Sequence, residues 1–167
     1  MKNAPDNESR YRVAACGLPW FRHRRDLKVF EAQKLSCVYA IGPVGGRPLK
    51  IGYCANPQVY LTEIQACHWA EMKLHEMVWT SGAPVARRLE DELHRLFDKA
   101  SRRIRGEWFD VPIEMVLPAF DVAARNLKIK TFTHDAMLEG IAVAQDAKTA
   151  SVLKALGADD RLVPSKP

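Results

Sequence analysis

Between residues 36 and 54 two runs of β-forming residues, SCVYAIG and LKIGYC, flank the segment PVGGRP. Each run has strand length. Pro43, Gly45, Gly46 and Pro48 supply strong turn chemistry, so the runs read as a β-hairpin. Asn56-Pro57 then starts a helix, with Asn as cap and Pro in the first turn. Leu61, Ile64 and Gln65 carry that helix to about Cys67. MKLHEMVW, residues 72–79, alternates as a third strand, and Ser81-Gly82-Ala83-Pro84 breaks it. From Val85 to about Ala100 the chain reads as its clearest helix. Leu89, Leu93, Leu96 and Phe97 form one apolar stripe along it. Ser101 to Gly106 reads as a basic turn, followed by GEWFDVP, and Pro112 opens a helix through Ala123. Thr133 caps a further helix carrying Met137, Leu138, Ile141 and Ala144. A second helical stretch, Thr149 to Leu156, ends at Gly157 as a plausible C-cap.

The 167 residues hold 47% apolar and 27% charged side chains, close to the average of folded globular proteins. That excludes a wholly disordered, collagen-like or disulfide-scaffold chain. No apolar run reaches the roughly 18 residues of a spanning helix, and the start, MKNAPDNESRYR, does not read as a secretory signal. Cys16, Cys37, Cys54 and Cys67 are scattered without a CxxC pair, which reads as reduced thiols and a cytoplasmic location. A zinc site among Cys37, Cys54, Cys67 and His68 fits no closed-site spacing. The net charge of +5 is uneven. Residues 1–34 hold eight basic side chains against four acidic ones, whereas residues 35–111 hold ten against nine. The division that follows is a basic N-terminal arm (1–34), a folded domain (35–125), a helical extension (126–157) and a flexible tail (158–167). A basic arm suits a polyanion, because each phosphate contact releases counterions; it also has the plainer reading of a solvated segment.

In order along the chain stand VYAIG (Val38–Gly42), a Gly-rich turn, KIG (Lys50–Gly52), Asn56-Pro57, LEDELH (Leu89–His94) and GEWF (Gly106–Phe109). This series resembles the GIY-YIG nuclease superfamily, and more closely its phage-type branch, with KIG in place of YIG and ExxLH followed by EWF. The likeness spans about residues 37–111. It implies an α+β core: a small three-stranded antiparallel sheet flanked by helices. It also implies an endonuclease that hydrolyses phosphodiesters with one divalent metal, Mg²⁺ or Mn²⁺, held by Glu90. By the same likeness Tyr39 helps to activate water and Gly52 is the second-motif glycine. Lys50 stands where many relatives have tyrosine, and Tyr53 offers a second phenol. His94 lies one helical turn after Glu90, on the same face.

The residues also have plainer readings. Tyr39 reads equally as a core aromatic, Glu90 as a solvated helix charge, and His94 as a histidine bonded to a backbone carbonyl. One position departs from the family. The arginine expected four residues into the NP helix is Tyr60, which cannot supply a fixed positive charge to a phosphate. Arg47, Arg87 or Arg88 would have to replace it in space. Binding of DNA is therefore the safer inheritance than its cleavage. The side chains expected to contact nucleic acid are Arg22, Arg24, Arg25, Arg87, Arg95, Lys99, Arg102, Arg103 and Arg105. The alternative is an inactive nuclease-fold module that binds a protein partner through its C-terminal helices. No membrane partner is expected.

Overall fold

The computed structural model describes residues 10–146 and 156–157. A short hairpin, β1 (Tyr11–Val13) and β2 (Pro19–Phe21), precedes helix α1 (Arg24–Gln33). Strands β3 (Ser36–Pro43) and β4 (Leu49–Cys54) form the expected hairpin, and Gly46, at φ 93°, makes its turn. Helix α2 (Pro57–Ala66) begins as its sequence predicts. The Asn56 carboxamide oxygen accepts from the backbone N–H groups of Gln58 and Val59, satisfying two donors that a helix start leaves orphaned. Strand β5 (Met72–Thr80) leads to the long helix α3 (Ala83–Lys99). Two short strands follow, β6 (Arg103–Arg105) and β7 (Trp108–Phe109), then α4 (Ile113–Leu127) and α5 (His134–Asp146).

The main sheet is antiparallel throughout and has five strands, in the order β5-β3-β4-β7-β6, where three were expected. The two additional strands come from the segment read as a basic turn followed by GEWF. At three and two residues they are too short for alternation to register in sequence. What makes them strands is pairing: Leu49 and Lys50 of β4 stand opposite Phe109 and Trp108. Central β3 buries everything from Ser36 to Gly42, on both faces.

One face of the sheet packs on α3 and α4 through Val38, Leu49, Ile51, Leu89, Leu93, Phe109, Val116 and Phe120. Tyr39, Ile41 and Leu74 pack on Leu61 and Ile64 of α2. The third apolar cluster shows that much of the expected arm is folded. Trp20, Phe21 and Phe30 are buried with Trp79, Met137, Leu138 and Ile141, so β1, β2 and α1 pack against α5. Charge ties the same pieces together. Arg10 binds the wholly buried Asp26 at 2.8 Å and Asp146 at 3.0 Å. The surplus of basic residues gave this segment its arm-like reading; Trp20, Phe21 and Phe30 turn inward and Arg22, Arg24 and Arg25 stay exposed. Most of the helical stretch expected over 149–156, and the tail 158–167, lie outside the described residues.

His134 fixes the junction between the third cluster and the sheet. Its Nε2 donates to the Pro19 carbonyl at 2.7 Å, and its Nδ1 accepts from Trp79 Nε1 at 3.3 Å. The bond from Trp79 needs the neutral ring, whose Nδ1 alone can accept, and burial holds its pKa below the ordinary 6.5. The unfolded chain therefore binds the proton more readily than the fold does. The stability from this residue is complete above pH 6.5 and is lost as pH falls below it. Thermal melts from about pH 7.5 to about pH 5 are expected to fall more steeply for the wild type than for His134→Gln, which does not titrate.

Candidate functional site

Strand β4 is paired on both sides only near its start. Past Ile51, whose N–H donates to the Glu107 carbonyl at 3.0 Å, it pairs with β3 alone among the described residues. A cavity of about 500 Å³ opens beside that stretch. Its walls are Tyr39, Gly52 and Tyr53 from the hairpin, Tyr60 from α2, Arg87, Glu90, Asp91 and His94 from α3, Arg103 from β6, and Gly106 and Glu107 from the β6–β7 turn.

Tyr39 reaches the cavity because Gly52, its cross-strand partner, has no side chain. A Cβ at Gly52 would lie 2.3 Å from the Tyr39 hydroxyl oxygen, well inside contact distance. The Tyr39 ring lies 5.0 Å from that of Tyr60. Burial first, and then the hydrogen bond to Tyr60, push the Tyr39 phenol far above its ordinary pKa, so it stays protonated. Lys50 stands 5.9 Å from the Tyr60 ring centre and pairs with Glu107. Burial most strongly lowers the pKa of its ammonium group, but the interactions with Glu107 and Tyr60 together outweigh that and hold it above the ordinary value.

On α3 the apolar stripe turns Leu89 and Leu93 wholly into the core and leaves Glu90 at the stripe's edge, only 7% exposed. Burial, and then the charges of Glu107 and Asp91, raise its carboxyl from 4.5 to about 7. Lys50 and Arg87 oppose that rise without cancelling it. His94 lies one turn on, its Nε2 4.0 Å from Glu90. The same nitrogen is 3.0 Å from the Ile51 carbonyl, to which it donates. The backbone-bonded reading of His94 is thus met by its geometry, and with Nε2–H engaged Nδ1 is the ring atom left to accept a proton.

Tyr39, Tyr53, Glu90 and His94, far apart in sequence, meet in this one cavity. Lys50 sits behind its wall, against Tyr60 and Glu107. Of the expected nucleic-acid contacts, Arg87 and Arg103 line the cavity. Arg103 is tied to Asp98, its Nη2 2.7 Å from that carboxylate. Arg95 is held by Glu92 through two bonds of 2.7 Å. Lys99, Arg102 and Arg105 are exposed, with no ion pair among the described residues. Arg22 lies just before α1 and Arg24 and Arg25 at its start, and none of the three lines the cavity. Arg47 pairs with Asp110 instead of lining the site. Asp91 and Glu107 join the expected residues in the cavity wall, and it is the β6–β7 turn that brings Glu107 there with Glu90.

The comparison with protein families gives one result. A family model described as the T5orf172 domain matches residues 36–123, more than half of the chain, from the start of β3 into α4. The protein belongs to the T5orf172 domain family. No curated protein and no solved structure matches it.

Two outcomes test this geometry. Gly52→Ala places a methyl where the Tyr39 hydroxyl sits and is expected to destabilise the fold by about 1–3 kcal/mol; denaturant unfolding measures it. A carboxyl raised to about 7 contributes stability that is complete below 4.5 and lost as pH rises through 7. Glu90→Gln is therefore expected to melt above the wild type at about pH 8 and together with it at about pH 4.

Proposed function

We propose that the protein is a GIY-YIG-type nucleic-acid-binding protein whose cavity hydrolyses phosphodiester bonds with a divalent cation. The observation that carries this reading is the convergence of Tyr39, Tyr53, Glu90 and His94 on one cavity, with Arg87 and Arg103 in its wall. Those two guanidiniums offer the positive charge that Tyr60 lacks.

The chemistry of the donor set suits a hard cation. Three carboxylates, Glu90, Asp91 and Glu107, line the cavity against two arginines. The carboxylate charges near Glu90 raise its pKa, so a cation would relieve them. Mg²⁺ is commonly held by one or two carboxylates, with substrate phosphate and water completing its shell. Among the described residues no group of three or more His, Cys, Asp or Glu side chains forms a protein-only metal site. Glu90 is the residue that would hold the ion. When bound, such an ion supplies positive charge against the phosphoryl oxygens and acidifies water.

The chain's own side chains then divide the work. Hydrolysis joins a water oxygen to phosphorus and breaks one P–O ester bond. Tyr39, kept protonated, holds water or a phosphoryl oxygen by hydrogen bonding. The Nδ1 of His94 is the ring atom able to accept the water's proton. Arg87 and Arg103 compensate charge on the phosphate in the transition state.

Tyr60 favours a second reading, in which the cavity binds the phosphate backbone without cutting it. Incubation of purified protein with supercoiled and linear DNA in Mg²⁺ or Mn²⁺ separates the two. Nicking that Glu90→Ala abolishes, and that Arg87→Ala slows by about 10²-fold or more, supports hydrolysis. An absence of cleavage across both metals and both DNA forms removes it. In that case affinity for duplex DNA is expected to fall by orders of magnitude between about 50 and 200 mM salt. Salt-insensitive binding would remove the nucleic-acid reading as well.

A further inference from the structure

Trp69 is 99% exposed, in the loop between α2 and β5. A wholly solvated indole forgoes the largest apolar burial any side chain offers. Its surroundings give it an occupant. The next residue back, His68, packs its ring 5.2 Å from that of Trp108. Trp108 stands opposite Lys50 on one side and opposite Arg105 on the other, so the three side chains share one face of the sheet. Lys50 reaches the Tyr60 ring in the cavity wall. An aromatic and cationic row thus runs from the cavity toward the loop that carries Trp69. The far end of that loop is pinned, since the Glu71 carbonyl accepts from the Val44 N–H at 3.0 Å.

We propose that this loop is a base-stacking station for unpaired nucleotides. A strand whose phosphate lies in the cavity would lead past Trp108 and the exposed Arg105, and one of its bases would stack on the face of Trp69. Indole stacks on any base, and cations beside it track the backbone; together these are the means by which proteins hold single strands without reading sequence. Bases inside a duplex are already stacked on one another and do not offer a face to Trp69. The substrate class is therefore nucleic acid with single-stranded or opened segments. This inference rests on the nucleic-acid reading above and deepens it.

Fluorescence polarisation of a labelled single strand, and of the duplex of the same sequence, tests it at one fixed salt concentration. Trp69→Ala is expected to weaken single-strand binding by about tenfold or more and to leave duplex binding within about twofold. Trp69→Phe, which keeps an aromatic face, is expected to restore most of the loss. The side chain is solvent-exposed, so the variant's melting temperature should match the wild type. Unchanged single-strand affinity in Trp69→Ala, or equal losses on both forms, overturns the stacking station and leaves this surface to a protein partner. If the wild type binds neither form, the nucleic-acid reading itself falls. Loss of cleavage in Glu90→Ala does not bear on the station, because Trp69 is scored on binding alone.

Discussion

Every layer of the fold is fastened to strand β3. Its side chains enter all three apolar clusters: Val38 and Ala40 the one under α3 and α4, Cys37 the one under α1 and α5, Tyr39 and Ile41 the one under α2. Strands β4 and β5 pair along its two edges, so the two longest ladders of the sheet also pass through it. The hairpin with β4 fixes the register, and register decides which side chain stands where. A slip of one residue would move Tyr39 away from Gly52 and close the cavity. The Gly52–Tyr39 approach is therefore where the architecture becomes a site.

Within that site stability and chemistry pull in opposite directions. Burying a carboxylate beside two others is unfavourable, as the raised pKa of Glu90 records. Shifts of this kind gather where a protein places groups for a task. The surrounding core makes the arrangement tolerable. Leu89 and Leu93 seat α3, Glu92 links α3 to α4 through Asn126 at 2.8 Å, and Ile51 anchors His94. Glu90 is thus held in place by neighbours that gain burial, while it loses solvation itself.

The parts legible in sequence are those whose signal is local and repeated. The stripe of α3 from Leu89 to Phe97 runs over about two turns, the β3–β4 turn has its glycines, and α2 has its Asn-Pro start. What escaped is set by pairing over long separations. Strands β6 and β7 exist because Leu49 and Lys50 need partners, and nothing in RIRGEWF says so on its own. The bond from Arg10 to Asp146 crosses almost the whole described chain, so the N-terminal segment read as a free arm. For the site, the motif residues Tyr39, Glu90 and His94 are brought together as their order suggested. Arg103 and Glu107 join them only through the fold of β6 and the β6–β7 turn, and Arg87 lines the same cavity from α3.

On the proposed reading, Glu90 makes this cavity a place for a divalent cation. Titration of isotope-labelled protein with Mn²⁺, followed by NMR line broadening, tests it directly. The account expects the signals of Gly52, Tyr53, Asp91 and His94 to broaden first, and that selectivity to vanish in Glu90→Gln. Broadening centred elsewhere on the molecule, or the same pattern persisting in Glu90→Gln, would contradict it.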